Sequence, residues 1–220
     1  MRSAPRAPDA GRLRGLHVLA DDGSAWKLDP VEQAHAACLG GAAVVQLRAK
    51  RASDGEALAW AAAIRRITRE HDALFIVNDR FDLALAAEAD GVHLGQDDLP
   101  PARIPASLRG QLLVGRSTHT LQQVEAAGAE PVDYLAFGPV FATRSKPSAY
   151  DARGPELLGE AVRAAGVRPL IAIGGIDASN SGRVVAAGAA GVAVISAVAG
   201  AEDPVAAARQ LAQLLKCAAR

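Results

Sequence analysis

Short apolar runs of β-strand character alternate eight times with longer Ala- and Leu-rich segments along most of this chain. Most of the short runs are apolar throughout, which is typical of parallel strands that are covered on both faces. The longer segments begin at N-cap residues such as Asp29 and Ser53 and end at glycines such as Gly40 and Gly166, as helices do. The predicted strands are Leu16–Ala20, Ala43–Leu47, Leu74–Val77, Gly91–Leu94, Leu112–Gly115, Tyr134–Phe137, Leu170–Ile173 and Gly191–Ile195.

Eight βα units in 220 residues predict a single (β/α)₈ TIM barrel, a fold that typically takes ~250 residues. An open dinucleotide-binding sheet would carry a G-x-G-x-x-G loop after its first strand, and Ala20-Asp-Asp-Gly-Ser24 is not one. We expect the barrel to be the catalytic domain and to span residues 15–220. The predicted helices are Pro30–Leu39, Ser53–Glu70, Asp82–Ala89, Leu121–Ala127, Pro155–Ala165, Ser179–Ala187 and Pro204–Leu215.

Composition narrows the class of protein. Lys plus Arg balance Asp plus Glu at 24 each, so the chain has no global basic field that would hold nucleic acid. No apolar run approaches the ~20 residues that a membrane-spanning helix needs. Cys38 and Cys217 form neither a disulfide framework nor a zinc pattern. These features predict a reduced cytoplasmic protein that binds neither nucleic acid nor membrane, with a homo-oligomer left open.

The arginine-rich residues 1–14 contain two prolines and no apolar core of signal-peptide length. We interpret this segment as a flexible N-terminal leader. An arginine-rich transit peptide is the alternative interpretation.

Polar residues that follow the strands are the candidate site residues, because catalysis in such barrels takes place at the C-terminal ends of the strands. Gln46, Arg48 and Lys50 alternate at the end of the second strand, so they share one face of an extended segment. An arginine fork beside a lysine suits a phosphate or a diphosphate. A solvated cluster of salt bridges is the alternative.

Carboxylates follow both the third and the fourth strand. Asn78 and Asp79 end the third strand, and Gln96, Asp97 and Asp98 follow the fourth. Neighbouring carboxylates repel each other unless a cation lies between them. Mg²⁺ commonly takes one or two carboxylates together with water and phosphate oxygens. We therefore predict a magnesium ion on Asp79 and Asp98, and we interpret Asp97 as a cap of the following helix.

Hydroxyl and cationic groups follow the fifth and sixth strands. Ser117 and His119 are candidate ligand contacts after the fifth strand. The loop after the sixth strand is polar and contains proline, which predicts a lid over the mouth of the barrel. Its anion-binding groups are Thr143, Arg144, Ser145 and Lys146.

The loops after the last two strands predict a second anion site. Gly174 and Gly175 follow the seventh strand, and Ser196 follows the eighth. In phosphate-handling barrels these loops and a short extra helix bind one phosphate through backbone N–H groups. Glycine suits this position because a Cβ would block the close approach. The sequence thus predicts a diphosphate–metal site and a monophosphate site on opposite sides of one mouth.

Seven short motifs resemble those of the thiamine-phosphate synthase family, and together they cover nearly all of the stretch from Leu16 to Leu215. The resemblance depends on their order and spacing. The motifs are Val45-Gln-Leu-Arg-Ala-Lys50, Val77-Asn-Asp-Arg80, Asp90-Gly-Val-His-Leu-Gly-Gln-Asp-Asp98, Gly115-Arg-Ser-Thr-His119, Gly138-Pro-Val-Phe-Ala-Thr-Arg-Ser-Lys146, Ala172-Ile-Gly-Gly-Ile176 and Val194-Ile-Ser-Ala197.

The resemblance implies a transferase that joins 4-amino-2-methyl-5-hydroxymethylpyrimidine diphosphate to a thiazole phosphate or its carboxylate, giving thiamine monophosphate and pyrophosphate. It implies Mg²⁺ on Asp79 and Asp98 as the cofactor, and catalytic roles for Lys146, Arg48 and Ser117. The residues that it assigns to the pyrimidine diphosphate are Gln46, Arg48, Lys50, Asn78, Ser117 and Lys146. The residues that it assigns to the thiazole phosphate are Thr143, Ser145, Gly175, Ile195 and Ser196.

Three positions depart from the family pattern. Ala49 stands where the family often has Glu, and Ser145 stands where it often has Thr. On the first strand, the family often has a Tyr near the position of His17. Ser145 keeps the hydroxyl group.

Two other functions fit parts of the same pattern. The related thiazole tautomerase, an isomerase on the same barrel, would need the monophosphate site and a proton-transfer residue such as His119, but no magnesium. A non-catalytic barrel that binds a thiamine precursor is the third interpretation. The pair formed by Asp79 and Asp98 favours the synthase.

Overall fold

The strands of the computed structural model, which describes residues 9–143, 145 and 149–218, form a closed parallel barrel. Each strand pairs with the next one in the chain, and β1 closes the barrel by pairing with β8, with Gly15 opposite Gly191. This confirms the predicted (β/α)₈ TIM barrel. The strands are β1 (Gly15–Asp21), β2 (Val44–Arg48), β3 (Leu74–Asn78), β4 (Gly91–Leu94), β5 (Leu113–Thr118), β6 (Tyr134–Phe137), β7 (Leu170–Ile173) and β8 (Gly191–Val194).

Helices alternate with the strands, and local capping fixes where two of the longer ones begin. The Asp29 carboxylate accepts the N–H groups of Val31 and Glu32, each at 2.8 Å, and Ser53 forms a capping box with Glu56. The helices are α1 (Pro30–Leu39), α2 (Asp54–Glu70), α3 (Phe81–Ala86), α4 (Ala106–Arg109), α5 (Leu121–Ala127), α6 (Gly154–Ala165), α7 (Ser181–Ala186), α8 (Ser196–Ala199) and α9 (Pro204–Ala218).

Successive side chains of each strand point alternately into the barrel and towards the helices. In β2, Val44 belongs to the cluster inside the barrel, whereas Val45 and Leu47 pack in the layer between strands and helices. The same alternation directs Gln46 and Arg48 inward, and both line the cavity at the mouth. The parity that the sequence analysis required is therefore present.

The N-terminal end of the barrel is closed by a 3₁₀ helix at Ala10–Leu13. Leu13 is fully buried within the interior cluster, and its carbonyl oxygen lies 2.6 Å from Nε2 of the buried His17. The prediction of a flexible leader up to Arg14 is therefore wrong for Ala10–Leu13, because these residues form a helix and Leu13 fills the bottom of the barrel. Residues 1–8 lie outside the described residues. No helix within the described part of the chain is long and apolar enough to cross a membrane.

Candidate active site

A cavity of about 510 Å³ opens at the C-terminal ends of the strands. This size suits a small-molecule site. Its lining brings together most of the residues that the sequence predicted, from both expected anion sites. These residues are Gln46, Arg48, Lys50, Asn78, Asp79, Asp98, Ser117, Thr143, Ser145, Gly175, Ile195 and Ser196. Lys146, also predicted, lies outside the described residues, as does Arg144.

Arg48 is held by an acidic residue that the sequence analysis missed. Its Nη1 forms a salt bridge with Oδ2 of Asp21, the last residue of β1. The other carboxylate oxygen of Asp21 accepts hydrogen bonds from Trp26 Nε1 at 2.7 Å and Gly23 N at 3.0 Å. Gln33, fully buried in α1, bonds both the N–H and the C=O of Asp21 at 2.9 Å. Because both Asp21 oxygens are occupied, the guanidinium is fixed at the edge of the mouth.

Asp79 has an unusual backbone conformation, and its carboxylate lies close to Lys50 and Asp98. Its φ of 66° lies in the left-handed region, and its N–H donates to the carbonyl oxygen of His93 at 2.7 Å, which ties the end of β3 to β4. The carboxylate forms a salt bridge with Lys50. Burial and the nearby Asp98 carboxylate raise the pKa of Asp79, and Lys50 opposes that rise. The two predicted metal ligands are therefore close enough to repel each other.

Asp98 closes the turn after β4. Its Oδ2 accepts the N–H of Gly95 at 2.6 Å, and a Cβ on Gly95 would lie 2.9 Å from the same oxygen. The following 3₁₀ helix is Pro101–Arg103, and its N-cap Pro100 provides no side-chain hydrogen bond. The expectation that Asp97 caps this helix is therefore wrong, since the chain turns through Asp98 before the helix begins.

Ser117 lies inside β5 rather than after it, because the strand continues through the polar residues to Thr118. Its Oγ is 2.9 Å from Nε2 of His93, and the Nδ1 of His93 is 3.0 Å from the hydroxyl oxygen of Tyr134. Gln96 donates to the Ser117 carbonyl oxygen at 2.5 Å. His93 was not among the predicted site residues, although its place on β4 directs it into the barrel.

His119 lies beside the loop that follows β6. Its Nδ1 donates to the carbonyl oxygen of Gly138 at 2.6 Å, and its ring stacks on Tyr150 with centroids 4.4 Å apart. The guanidinium of Arg153 lies over the Tyr150 ring, 5.0 Å from its centre. These contacts give His119 a supporting position under the loop.

The opposite side of the mouth is built from close backbone contacts. Gly174 and Gly175 have φ values of 102° and 62°, and a Cβ on Gly175 would lie 2.4 Å from the carbonyl oxygen of Ala142. These two glycines therefore let the β7 loop pack against the β6 loop. The predicted short extra helix is α8, which begins at Ser196 after the N-cap Ile195. The N–H groups of Val198 and Ala199 donate to the Ile195 carbonyl, so those of Ser196 and Ala197 are the ones from which an anion could accept at the start of the helix.

Comparisons with known proteins agree with this arrangement. The family model described as thiamine monophosphate synthase matches residues 16–198. The chain is 43% identical over 201 residues to a thiamine-phosphate synthase of Methanospirillum hungatei, covering 91% of this chain and 97% of that protein. It is 48% identical over 196 residues to a synthase of Synechococcus sp., covering 89% of this chain and 54% of that longer protein.

Solved structures give the same result. A thiamine phosphate pyrophosphorylase from Pyrococcus furiosus superposes with a TM-score of 0.85 at 36% identity, over 95% of this chain and 98% of that one. The 3-hexulose-6-phosphate synthase of Salmonella typhimurium is 16% identical with a TM-score of 0.68, so this likeness concerns the fold alone. The family model covers most of the chain and the barrel residues that it spans line the cavity, so the chain belongs to the thiamine monophosphate synthase family.

Proposed function

We propose that this barrel joins a pyrimidine diphosphate to a thiazole phosphate and releases pyrophosphate, giving thiamine monophosphate. The observation that carries the proposal is that one cavity is lined both by charged side chains from β2, β3 and β4 and by the glycines of the β7 loop. Arg48, Lys50 and the two aspartates lie on one side of the cavity, and the glycines of the β7 loop lie on the other. One substrate with a diphosphate and another with a single phosphate would each meet a matching site.

The diphosphate end is assigned to side chains of β2 and β3. Gln46 Nε2 lies 3.4 Å from Asn78 Oδ1, so the two amides are mutually oriented. Arg48 and Lys50 supply positive charge beside them, and each already has a carboxylate partner. The arrival of a diphosphate would let Lys50 exchange the Asp79 carboxylate for phosphate oxygens. Lys146 is assigned to the same end as a further cation from the β6 loop.

The residues at the ends of β3 and β4 fit a magnesium ion. Burial and the nearby Asp98 carboxylate raise the pKa of Asp79, and a divalent cation between the two carboxylates would relieve their repulsion. No group of three or more acidic, His or Cys side chains suited to a metal is found in the described part of the chain. Two carboxylates are nevertheless the usual protein share for Mg²⁺ bound with a phosphorylated substrate. When bound, Mg²⁺ would neutralise the charge that develops on the leaving diphosphate.

The monophosphate end is assigned to the loops after β6, β7 and β8. Gly175 and the N-terminus of α8, at Ile195 and Ser196, would provide backbone N–H groups. Thr143 and Ser145 would add hydroxyl groups, and Thr143 Oγ1 already accepts the N–H of Ser145 at 3.3 Å. This division places the thiazole phosphate on the side of the mouth away from the aspartates.

The chemistry requires positioning more than a protein nucleophile. An aminopyrimidine stabilises positive charge on its methylene carbon, so pyrophosphate can leave before the thiazole nitrogen attacks. Arg48, Lys50 and Lys146 would stabilise the departing pyrophosphate, and Ser117 would contact the substrate between the two sites. The walls of the cavity would hold the thiazole in line with the methylene carbon.

The tautomerase alternative depends on His119 as a proton-transfer residue. In the structure, His119 Nδ1 is committed to the Gly138 carbonyl and its ring is stacked on Tyr150. The crowded aspartates at the diphosphate end have no role in such an isomerase. The two crowded aspartates therefore favour the condensation.

The direct test is to mix the two precursors with the purified protein and Mg²⁺ and to identify the product by mass spectrometry. Thiamine monophosphate and pyrophosphate should appear in equal amounts, and excess chelator should stop their formation. Isomerisation of a thiazole phosphate without condensation would favour the tautomerase. Binding of both precursors without any product would favour the non-catalytic barrel.

A further inference from the structure

A buried chain of three hydrogen-bonding side chains leads from the barrel interior to the cavity. It runs from the Tyr134 hydroxyl to His93 Nδ1 at 3.0 Å, and from His93 Nε2 to Ser117 Oγ at 2.9 Å. All three side chains border the cavity, but Tyr134 and His93 are only 3% and 8% exposed, whereas Ser117 is partly exposed. Their order therefore places a rigid interior pair behind one cavity hydroxyl.

The packing around Tyr134 is closely fitted to this chain. A Cβ on Gly115 would lie 2.1 Å from Tyr134 Cζ and 2.5 Å from His93 Nδ1, so the ring contact exists only because residue 115 is glycine. The ring of His17 meets Tyr134 edge to face, with centroids 6.5 Å apart. These contacts fix both the ring and the hydroxyl of Tyr134.

The direction of the chain follows from which atoms carry hydrogens. Burial, with a smaller contribution from Asp133, raises the pKa of Tyr134 well above its usual range, so the phenol keeps its proton. Within the described residues, His93 Nδ1 is the partner found for this hydroxyl. A phenol that donates to Nδ1 selects the imidazole tautomer protonated on Nε2, and that N–H then donates to Ser117 Oγ.

A serine hydroxyl has one hydrogen and two lone pairs. When one lone pair accepts from His93, the hydrogen points away from the imidazole and into the cavity. The geometry points to Tyr134 and His93 as positioning residues that fix the Ser117 hydroxyl as a hydrogen-bond donor to a diphosphate oxygen of the substrate. This inference rests on the proposed function for the identity of the acceptor. No proton moves along the chain during the reaction, and its effect is to orient one donor before charge develops on the leaving group.

The hydrogen positions can be measured without turnover. Protein labelled with ¹⁵N in its five histidines should show, for His93, an unprotonated Nδ1 and a protonated Nε2, assigned by through-bond correlation. A His93 protonated on Nδ1, or on both nitrogens, at neutral pH would overturn the proposed direction. This readout uses the unmodified protein, so its outcome is independent of whether the condensation is the correct reaction.

A kinetic double-mutant cycle tests whether Tyr134 acts through Ser117. Tyr134→Phe should lower kcat by roughly 10-fold, the scale of one hydrogen bond, while KM for the thiazole phosphate stays unchanged. In a Ser117→Ala background the same substitution should have no further effect. If the losses in kcat of the two single variants multiply in the double variant, Tyr134 does not act through Ser117. This result would overturn the inference even if the enzyme is active and His93 has the expected tautomer. Thermal melting of each variant separates this effect from a loss of folding.

Discussion

At the scale of single residues, carboxylates at the ends of the strands have two different tasks. The Asp21 carboxylate already has three hydrogen-bonding partners, Arg48 among them, so it positions a cation. Asp79 and Asp98 instead crowd each other, and burial together with this crowding raises the pKa of Asp79. The first carboxylate belongs to the framework of the site, and the other two are the ones that we propose to receive a cation.

Removal of either crowded carboxylate should slow the reaction. We expect Asp79→Asn and Asp98→Asn each to lower kcat by at least roughly 10²-fold, since each removes one electrostatic stabiliser of the leaving group. Steady-state kinetics across a magnesium titration would measure the change. Full activity in both variants, with no shift in the magnesium dependence, would remove these residues from a metal site.

Loss of the Asp21 carboxylate should act through Arg48. Asp21→Asn keeps the size of the side chain but removes its charge, so the guanidinium loses its fixed position and KM for the pyrimidine diphosphate should rise about 10-fold. Asp72→Asn is the matched control, because its salt bridge with Arg12 is exposed at the surface. An equal change in both variants would argue against a role for Asp21 in the site.

Sequence reasoning found the polar residues at most of the strand ends but missed two inward-facing residues, Asp21 and His93. Asp79, Asp98 and Arg48 stood out because polar side chains interrupt or follow apolar runs. Asp21 and His93 were missed because they lie within strands, where only the inward parity of the position marks them. Their partners come from distant segments, such as Trp26 for Asp21, and no local pattern encodes those contacts.

At the scale of elements, the loops after β6 and β7 act as one unit. The N–H of Val140 donates to the Ile173 carbonyl at 2.9 Å, and that of Phe141 donates to the Gly174 carbonyl at 3.0 Å. Apolar runs and glycines predicted both strands correctly. The contact between their loops could not be predicted, because it depends on barrel closure bringing the two strand ends together.

A methyl group on the β7 loop should disturb this unit. Gly175→Ala combines a positive φ with a clash against the Ala142 carbonyl, so we expect a roughly 10-fold higher KM for the thiazole phosphate, on the scale of a lost hydrogen bond to a charged group. Gly166→Ala is the control, because Gly166 has a similar φ of 64° and open space around its Cβ position. Both variants should be less stable than the parent protein, but only Gly175→Ala should have a higher KM for the thiazole phosphate. Equal KM values in the two variants would show that the β7 loop does not take part in phosphate binding.

At the scale of the whole molecule, the barrel is closed at one end and open at the other. Leu13 of the 3₁₀ helix fills the N-terminal end, and His17 connects that closure to the barrel interior. The segment before β1 has no hydrophobic periodicity, so its single buried leucine could not be distinguished from a flexible leader by sequence. The barrel itself was predictable, because each of its eight strands contains a short apolar stretch.

The barrel should lose stability in acid through His17. Burial lowers the pKa of His17 from 6.5 to about 4, so the unfolded chain takes up a proton at a higher pH than the folded chain. This contribution is complete above pH 6.5 and falls as the pH drops towards 4, by up to roughly 3 kcal/mol. Urea unfolding across this range should show a smaller loss in His17→Gln. If the free energy of unfolding falls equally with pH in the two proteins, His17 is not a cause of the loss of stability in acid.

The central claim is that one mouth holds two separate anion sites. Calorimetric titration of Asp79→Asn and Gly175→Ala, each with pyrophosphate plus Mg²⁺ and with the thiazole phosphate, tests it most directly. We predict that Asp79→Asn weakens the binding of pyrophosphate but not of the thiazole phosphate. Gly175→Ala should weaken the binding of the thiazole phosphate but not of pyrophosphate. Loss of both ligands in either variant that remains folded, or the reverse pairing, would contradict the account.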